Sequence, residues 1–123
     1  MVIEIPVSPV PKPRMTRSDR WKERPATRKY WKFKDDLREH VTGELGASFS
    51  VVFFVPMPKS WSKKKRLAMN RRPHQQKPDV DNYLKALMDA LCEDDSHVYK
   101  VSMAKYWAEE GSVRIFDEGE LSD

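Results

Sequence analysis

This sequence has little cysteine, no long apolar run and no apolar leader. Cys92 is the only cysteine among 123 residues, which excludes an intrachain disulfide and a cysteine-based zinc site. No segment approaches the roughly 20 apolar residues of a membrane span. No charged-then-apolar leader follows Met1. We therefore expect a protein of a reducing cytoplasm, neither exported nor embedded in a membrane.

Acidic residues are absent from one long stretch of the chain. Residues 59–77 hold eight Lys or Arg and no Asp or Glu, whereas residues 109–123 hold six acids and one base. The net charge of +4 therefore understates how positive one surface should be, and nucleic acid is the commonest polyanionic partner of such a surface. An anionic membrane is the weaker candidate, because the basic run lacks the apolar stripe of an interfacial helix.

Length and composition indicate one small folded domain over residues 1–123. The sequence is 39% hydrophobic and 34% charged, but its five Phe, four Tyr and four Trp can build a core. A chain of this length buries only about two-thirds of the surface that its unfolded form exposes. It has little stability to spare, and oligomerisation would add to it.

Hydrophobic periodicity and the positions of Pro and Gly divide the chain into about seven short elements. In the first half we predict a strand at 2–7, a basic loop at 8–25, a helix from a Thr27 cap to about Thr42 that Gly43 ends, and a strand at 48–57. In the second half we predict a short basic helix at 60–70, capped by Ser60 or Ser62, and a loop at 71–78 that orders at best on binding. A helix at 82–91, capped by Asp81, should follow. The last elements should be strands at 98–107 and 112–116, joined by a hairpin turn at Glu110 and Gly111. This β-α-β-(α)-α-β-β order indicates an α+β fold, in which helices pack on one face of a small mixed sheet.

The acidic residues around the predicted helix at 82–91 are the best candidates for chemistry. Asp79 and Asp81 lie two apart just before this helix, and in an extended backbone their side chains would point the same way. Asp81, Lys85 and Asp89 then follow at i, i+4 and i+8 along one helix flank. Mg²⁺ prefers carboxylate oxygens, and in phosphodiester hydrolysis it generates a hydroxide nucleophile and stabilises developing charge. Lys85 adds a positive charge for the scissile phosphate or the leaving group.

Each of these residues also has an ordinary structural explanation. Asp81 could cap the helix, and Lys85 could form an i, i+4 ion pair with Asp89. The acidic turn of Glu93, Asp94 and Asp95 could fill a turn or fold back to supply a third metal ligand. Because Asp-x-Asp pairs are common, their spacing alone leaves these alternatives open.

The local string as a whole resembles a known signature. The segment PDVDNYLKALMDAL, followed by an acidic pair and a valine, is similar to the pattern of the RusA family of Holliday junction resolvases. That pattern is an aspartate, one residue, Asp-Asn, a lysine four residues after the second aspartate, Asp-Ala-Leu on the helix, and an acidic pair before a strand. An opening strand, a proline-rich basic segment and a Phe/Val strand ending in Met-Pro extend the resemblance over most of the chain.

The resemblance implies a homodimer of bacterial or bacteriophage origin that binds four-way DNA junctions and makes paired symmetric nicks with Mg²⁺, for which Mn²⁺ can substitute. It makes Asp79, Asp81 and Asp95 the metal-binding catalytic residues, with Lys85 assisting at the phosphate. The connection from Asp-Ala-Leu to the acidic pair is shorter here than in many members, which leaves Asp94 as a competitor to Asp95. A symmetric dimer also suits the approximate twofold symmetry of a junction.

The basic runs would contact DNA phosphates. The predicted DNA-binding residues are Lys12, Arg14, Arg17, Lys63, Lys64, Lys65, Arg71, Arg72 and Lys77. Trp21, Trp61 and Tyr83 could stack on unpaired bases at the branch point, with core packing an equal alternative for Trp61. Trp31 and Trp107 are expected in the core.

Three other residues are expected to lie outside the chemistry. His74 should contact phosphate or solvent, His97 should start a strand, and Cys92 should be a small, partly buried hydrophobe. The sequence thus predicts a Mg²⁺-dependent, structure-selective endodeoxyribonuclease of DNA recombination and repair. The alternatives are a non-catalytic DNA-binding or DNA-packaging accessory protein and an RNA-directed nuclease.

Overall fold

A computed structural model describes residues 2–14 and 24–117 of the chain. The elements in chain order are β1 (Val2–Ile5), α1 (Pro25–His40), β2 (Ser48–Pro56), α2 (Lys63–Met69), α3 (Val80–Leu91), a short 3-10 helix (Asp95–His97), β3 (Lys100–Ala108) and β4 (Ser112–Asp117). The four strands form one mixed sheet in the order β1-β4-β2-β3. The predicted α+β class and element order are confirmed.

The Phe/Val strand β2 lies inside the sheet, parallel to β3 and antiparallel to β4. The predicted hairpin between β3 and β4 is wrong, because β2 separates them. Their short connection crosses the end of β2, from Ala108 beside Pro56 to Ser112 beside Phe54. Gly111 suits this crossing, since a Cβ atom there would lie 2.6 Å from the Cα of Ser8.

The core lies between one face of the sheet and the helices α1 and α3. Alternate residues of β2 and β4 point into it, as the period of two along a strand requires, and α1 and α3 cover them with one apolar stripe each. The principal core residues are Phe49, Val51, Phe53, Val113, Ile115, Tyr30, Phe33, Leu37, Tyr83, Leu87 and Leu91. Trp31, predicted in the core, is 47% exposed, because it follows Tyr30 by about 100° around α1 and so leaves the buried stripe.

The helix ends differ in part from the predictions. α1 begins at Pro25, whose ring suits the first helical position, so Thr27 lies inside the helix and is buried rather than being its cap. The same helix ends at His40, before the predicted Thr42. α2 begins after Ser62, whose hydroxyl accepts a hydrogen bond from the Lys65 amide at 3.1 Å, and this predicted cap is confirmed.

Residues 71–74, predicted as a loop that orders only on binding, pair with the outer edge of β3. The Arg71 amide donates to the Trp107 carbonyl at 2.8 Å, and the His74 amide donates to the Lys105 carbonyl at 3.1 Å. This pairing covers the C-terminal half of β3 and leads the chain from α2 to α3. Among the described residues, no helix is long and apolar enough to cross a bilayer.

Candidate nuclease site

The N-terminal end of α3 presents two carboxylates that helix capping does not use. Asp79, rather than Asp81, is the N-cap residue, and its side chain makes no capping hydrogen bond. Asp81 lies in the first helical turn, so the predicted cap at Asp81 is wrong, and the extended backbone assumed for both residues holds only for Asp79. Both side chains are exposed and free to bind a ligand.

Lys85 lies one turn beyond Asp81 and pairs with it rather than with Asp89. The distance from Lys85 Nζ to Asp81 Oδ2 is 3.7 Å, and the side chains are 61% and 52% exposed. An exposed pair of this length contributes little to stability. Lys85 can therefore turn towards a phosphate at small cost.

Asp89, on the same helix, links three segments of the fold. Its carboxylate accepts a hydrogen bond from the Tyr30 hydroxyl at 2.5 Å and pairs with Lys12 Nζ at 2.8 Å. Burial opposes ionisation of Asp89, but the hydrogen bonds from Lys12 and Tyr30 outweigh it and lower the pKa of the carboxyl. The alternative explanation, an i, i+4 pair between Lys85 and Asp89, does not hold, because Asp89 turns towards α1 and Lys85 pairs with Asp81.

The C-terminal end of α3 leads into the acidic turn, where two neighbouring aspartates differ. The Asp94 carboxylate accepts a hydrogen bond from the Ser96 amide at 3.0 Å, and hydrogen bonds from Ser96 lower its pKa. The Asp95 side chain is exposed and, within residues 2–14 and 24–117, makes no hydrogen bond or ion pair. Asp95 is thus the more available of the two for a ligand.

The two groups of acids are separated by the length of α3. Twelve residues at 1.5 Å each place the helix ends roughly 18 Å apart. Asp79 and Asp81 lie at one end, and Asp95 lies at the other in a shallow recess beside Met88 and Cys92. In the part of the chain that is described, no group of three or more His, Cys, Asp or Glu side chains could hold a metal ion. One protomer therefore does not bring the three predicted ligands together.

Basic side chains lie at the same end of the sheet as Asp79. Lys63 and Lys64 are exposed on α2, and residues 71–74 run from α2 along the C-terminal half of β3 towards Asp79. Lys77 is exposed on the same path. Lys65 lies over the Trp61 ring, with its Nζ atom 4.2 Å from the ring centroid. A phosphate backbone bound along this path would pass the N-terminal end of α3.

Other predicted DNA-binding residues are engaged within the chain. The Arg71 guanidinium lies over the ring of buried Phe54 at 4.5 Å, and Arg72 Nε donates to the Ala68 carbonyl at 3.0 Å. Lys12 is paired with Asp89, as described above. Arg14, the last residue of the described range 2–14, is exposed. Arg17 and Trp21 lie outside the described residues.

The aromatic residues near the site are mostly part of the core. Tyr83, predicted to stack on bases, is 3% exposed and packs on Phe53 with ring centroids 5.4 Å apart, because its position on α3 faces the sheet. Trp107 is buried as predicted. Its ring packs against the rings of Trp61 and His74, with centroid-to-centroid distances of 4.8 Å and 4.0 Å. Half-buried Trp61 thus takes part in packing and keeps some exposed surface.

His74, His97 and Cys92 have structural positions. His74 is buried, and burial followed by the charge of Lys105 lowers its pKa, so the predicted phosphate or solvent contact is wrong. His97 lies in the 3-10 helix rather than in a strand, with Nε2 3.0 Å from the Leu45 carbonyl. Cys92 is buried, and burial raises the pKa of its thiol to about 11, which makes it unreactive.

Lys105 of β3 is a residue near the site that reasoning from the sequence missed. Its ammonium donates to the Pro78 carbonyl at 2.6 Å and to the Gln76 carbonyl, directly before Asp79. The sequence did contain a signal for it. Lys105 has the same period-two spacing along β3 as Val101, Met103 and Trp107, which places this lysine on the helix-covered face of the sheet.

The model of the endodeoxyribonuclease RusA family matches residues 6–116. This span covers all three helices and both acidic ends of α3. The chain belongs to the RusA family. The uncharacterized protein YqaN of Bacillus subtilis strain 168 is 40% identical to it over 84 residues, which cover 61% of this chain and 57% of that relative. The match therefore spans little more than half of the relative's length.

RusA is a family of endodeoxyribonucleases, and its resolvases are generally divalent-metal dependent. The acidic residues of this chain can therefore be compared with what a divalent metal ion requires. Asp79 and Asp81 suit part of such a site, because both carboxylates are exposed and neither is used in capping. Mg²⁺ commonly binds through one or two carboxylates and completes its coordination with water and substrate phosphate. In this RusA chain, the N-terminal end of α3 offers two exposed carboxylates of that kind.

Proposed function

We propose that this chain is a Mg²⁺-dependent endodeoxyribonuclease that binds four-way DNA junctions as a homodimer and resolves them by paired symmetric nicks in recombination and repair. The observation that carries the proposal is the pair of exposed carboxylates at Asp79 and Asp81, neither used in capping, beside a basic surface in a RusA-family chain. Mn²⁺, which has a similar preference for oxygen ligands, would substitute for Mg²⁺.

Asp79 and Asp81 would hold the metal ion, which supplies a hydroxide nucleophile and stabilises charge on the phosphate oxygens when bound. Lys85 would leave its weak pair with Asp81 and contact the scissile phosphate or the leaving oxygen. The basic residues of α2, together with Lys77, would bind the phosphate backbone and bring it to this end of α3. Recognition would then depend on the positions of phosphates in the branched structure more than on base edges.

A third carboxylate would come from the second protomer. Asp95 is exposed and free of partners in the described residues, but it lies at the far end of its own α3. If a twofold axis sets the α3 helices of two protomers antiparallel, the Asp95 end of one helix meets the Asp79 end of the other. Two equivalent sites would result, as paired nicking of two strands requires.

Exposed apolar residues around β3 support this arrangement. β3 is an edge strand, and its outer edge at residues 100–104 pairs with no other segment of the described chain. Tyr99 and Met103 are 77% and 41% exposed there, and Leu84 and Met88 of α3 are half-buried. A second copy paired antiparallel along this edge would bury these side chains and satisfy the open backbone groups. The α3 helices would then also run antiparallel.

A non-catalytic DNA-binding accessory protein is the second candidate. It is favoured by the separation of the acids within one protomer, where no three-ligand group lies among the described residues. An RNA-directed nuclease would use the same metal chemistry, and competition between labelled junction DNA and structured RNA would identify it.

A junction-cleavage assay with the wild type and Asp81→Asn tests the proposed function. The wild type should nick a four-way junction in Mg²⁺ and leave it intact in EDTA. Asp81→Asn should lose cleavage by about 10³-fold, as expected for loss of a transition-state stabilising group. The same variant should bind the junction at least as tightly, because it removes negative charge beside DNA. Binding without cleavage by the wild type in Mg²⁺ and Mn²⁺ would favour the accessory protein.

A further inference from the structure

A lysine side chain leaves β3 on the helix-covered face of the sheet. Lys105 lies beside Phe53 in the parallel register, and Phe53 is fully buried against Tyr83 of α3. Lys105 itself is half-buried, and partial removal of an ammonium group from water is costly unless polar partners compensate for it. The partners of Lys105 therefore indicate why a charged residue occupies this position.

The two hydrogen bonds that the Lys105 side chain donates go to the segment that leads into α3. Its Nζ atom donates to the Pro78 carbonyl at 2.6 Å and to the Gln76 carbonyl. Its own carbonyl accepts a hydrogen bond from the His74 amide at 3.1 Å. The side chain and the backbone of one residue thus hold residues 74–78 against β3. The next residue in the chain is Asp79.

We propose that Lys105 is a positioning residue that fixes the backbone of residues 76–78 and thereby presents the Asp79 carboxylate to a divalent cation. The inference rests on the proposed function, since it concerns the same site. Asp79 makes no capping hydrogen bond of its own, so the backbone before it largely determines where its carboxylate lies. Groups that orient metal ligands commonly contribute ten- to hundredfold to metal affinity, roughly.

The charge of Lys105 allows positioning to be separated from a simple electrostatic role. The ammonium lies close enough to Asp79 for the two charges to interact. Its charge alone would repel a divalent cation, so removing it would tighten metal binding. Loss of positioning would weaken metal binding instead. The two roles therefore predict changes of opposite sign.

The test is calorimetric titration of Mn²⁺ into the full-length protein without DNA. Lys105→Met, which keeps the side-chain length and removes all donors, should bind Mn²⁺ about tenfold or more weakly. Lys105→Arg, which keeps both charge and donors, should restore most of the affinity. Lys29→Met on the exposed surface of α1, far from the site and from the β3 edge, is the matched control and should bind like the wild type. Unchanged or tighter binding by Lys105→Met would overturn the proposal.

Hydrogen exchange in EDTA keeps the proposal testable without a metal. Amides of residues 75–82 should exchange faster in Lys105→Met, with those of β2 unchanged. If the wild type bound no Mn²⁺, the proposed function would fail, and exchange alone would decide the role of Lys105. Unchanged exchange of residues 75–82 would then overturn it. If Lys105→Met does not fold, Lys105→Gln, with shorter donors and no charge, takes its place under the same two outcomes.

Discussion

Both ends of α3 carry aspartate side chains, but the two ends differ in the contacts that these aspartates make. At the N-terminal end, Asp79 and Asp81 are exposed, unused in capping, and adjacent to the basic path from α2. At the C-terminal end, Asp94 is engaged with the Ser96 amide, and Asp95 is left free in the described chain. Acids that appear as one group in the sequence thus lie at two opposite ends of α3. Under the proposed function, each end would need the opposite end from a second protomer to complete a metal site.

The largest expected effect separates Asp94 from Asp95. Asp95→Asn should lower junction cleavage by about 10³-fold, like Asp81→Asn, because a metal-binding carboxylate is lost. Asp94→Asn should cleave within about tenfold of the wild type, since asparagine also accepts the hydrogen bond at a helix N-cap. Single-turnover cleavage of a labelled junction measures both. The reverse ranking would make Asp94 the third ligand.

Mixed dimers test whether the two ends of α3 cooperate across protomers. Asp81→Asn and Asp95→Asn should each be inactive alone. In a random mixture half of the dimers are heterodimers, and one of their two sites keeps both Asp81 and Asp95, so nicking should recover to about a quarter of the wild-type rate. The recovered activity should be single nicks rather than paired ones. No recovery after verified subunit exchange would show that each protomer acts with its own acids.

The basic residues of α2 should bind the DNA that reaches the N-terminal end of α3. Replacing Lys63 and Lys64 with Ala should weaken binding to all DNA and reduce the slope of log K against log salt by about 2, close to 0.9 per phosphate contact. The control removes Lys29 and Lys32 from α1, which changes the net charge equally and should leave the slope unchanged. Fluorescence anisotropy from about 50 to 200 mM salt measures both slopes. Equal slopes for the two variants would exclude α2 from the interface.

The smallest expected effect concerns Asp89, which links α3 to Tyr30 of α1 and to Lys12. Its pKa is lowered in the folded state, so it adds stability above the pKa of an unfolded aspartate, and this contribution is lost as the pH falls below about 4. Asp89→Asn should cost about 1 kcal/mol at pH 7, and the difference should vanish in acid. Urea unfolding at several pH values measures it. Asp35→Asn, in an exposed pair, is the control and should show no such pH dependence.

Much of the local structure followed from patterns within short windows. The i, i+3, i+4 stripe of α3 and the Phe/Val run of β2 are strong signals, because each element buries one face against the same core. The errors arose where a residue had competing local roles. Trp31 lies next to the apolar stripe of α1 but is not part of it, so it is exposed and not in the core. Thr27 was predicted as the cap of α1, but the helix begins two residues earlier, at Pro25. Single-residue patterns do not decide such cases, because helix boundaries depend on the packing of the whole element.

The sheet order and the partners of the charged residues did not follow from local patterns. A short connection with Gly111 indicates a hairpin, yet β2 separates β3 from β4, because the most apolar strand is buried by neighbours on both edges. An i, i+4 pair of Asp89 with Lys85 was one alternative, but Asp89 contacts Tyr30 and Lys12 instead. These partners come from segments distant in the sequence, so spacing within α3 contains no information about them.

By itself the sequence determined the element order, the segregation of charge and the acidic signature around α3, since each is a property of neighbouring residues. Only the tertiary structure decided that the signature is divided between the two ends of a helix, and that Lys105 lies against the segment leading into Asp79. The physical reason is geometric. A rigid helix separates residues that are close in the chain, whereas a sheet brings together residues that are far apart in it.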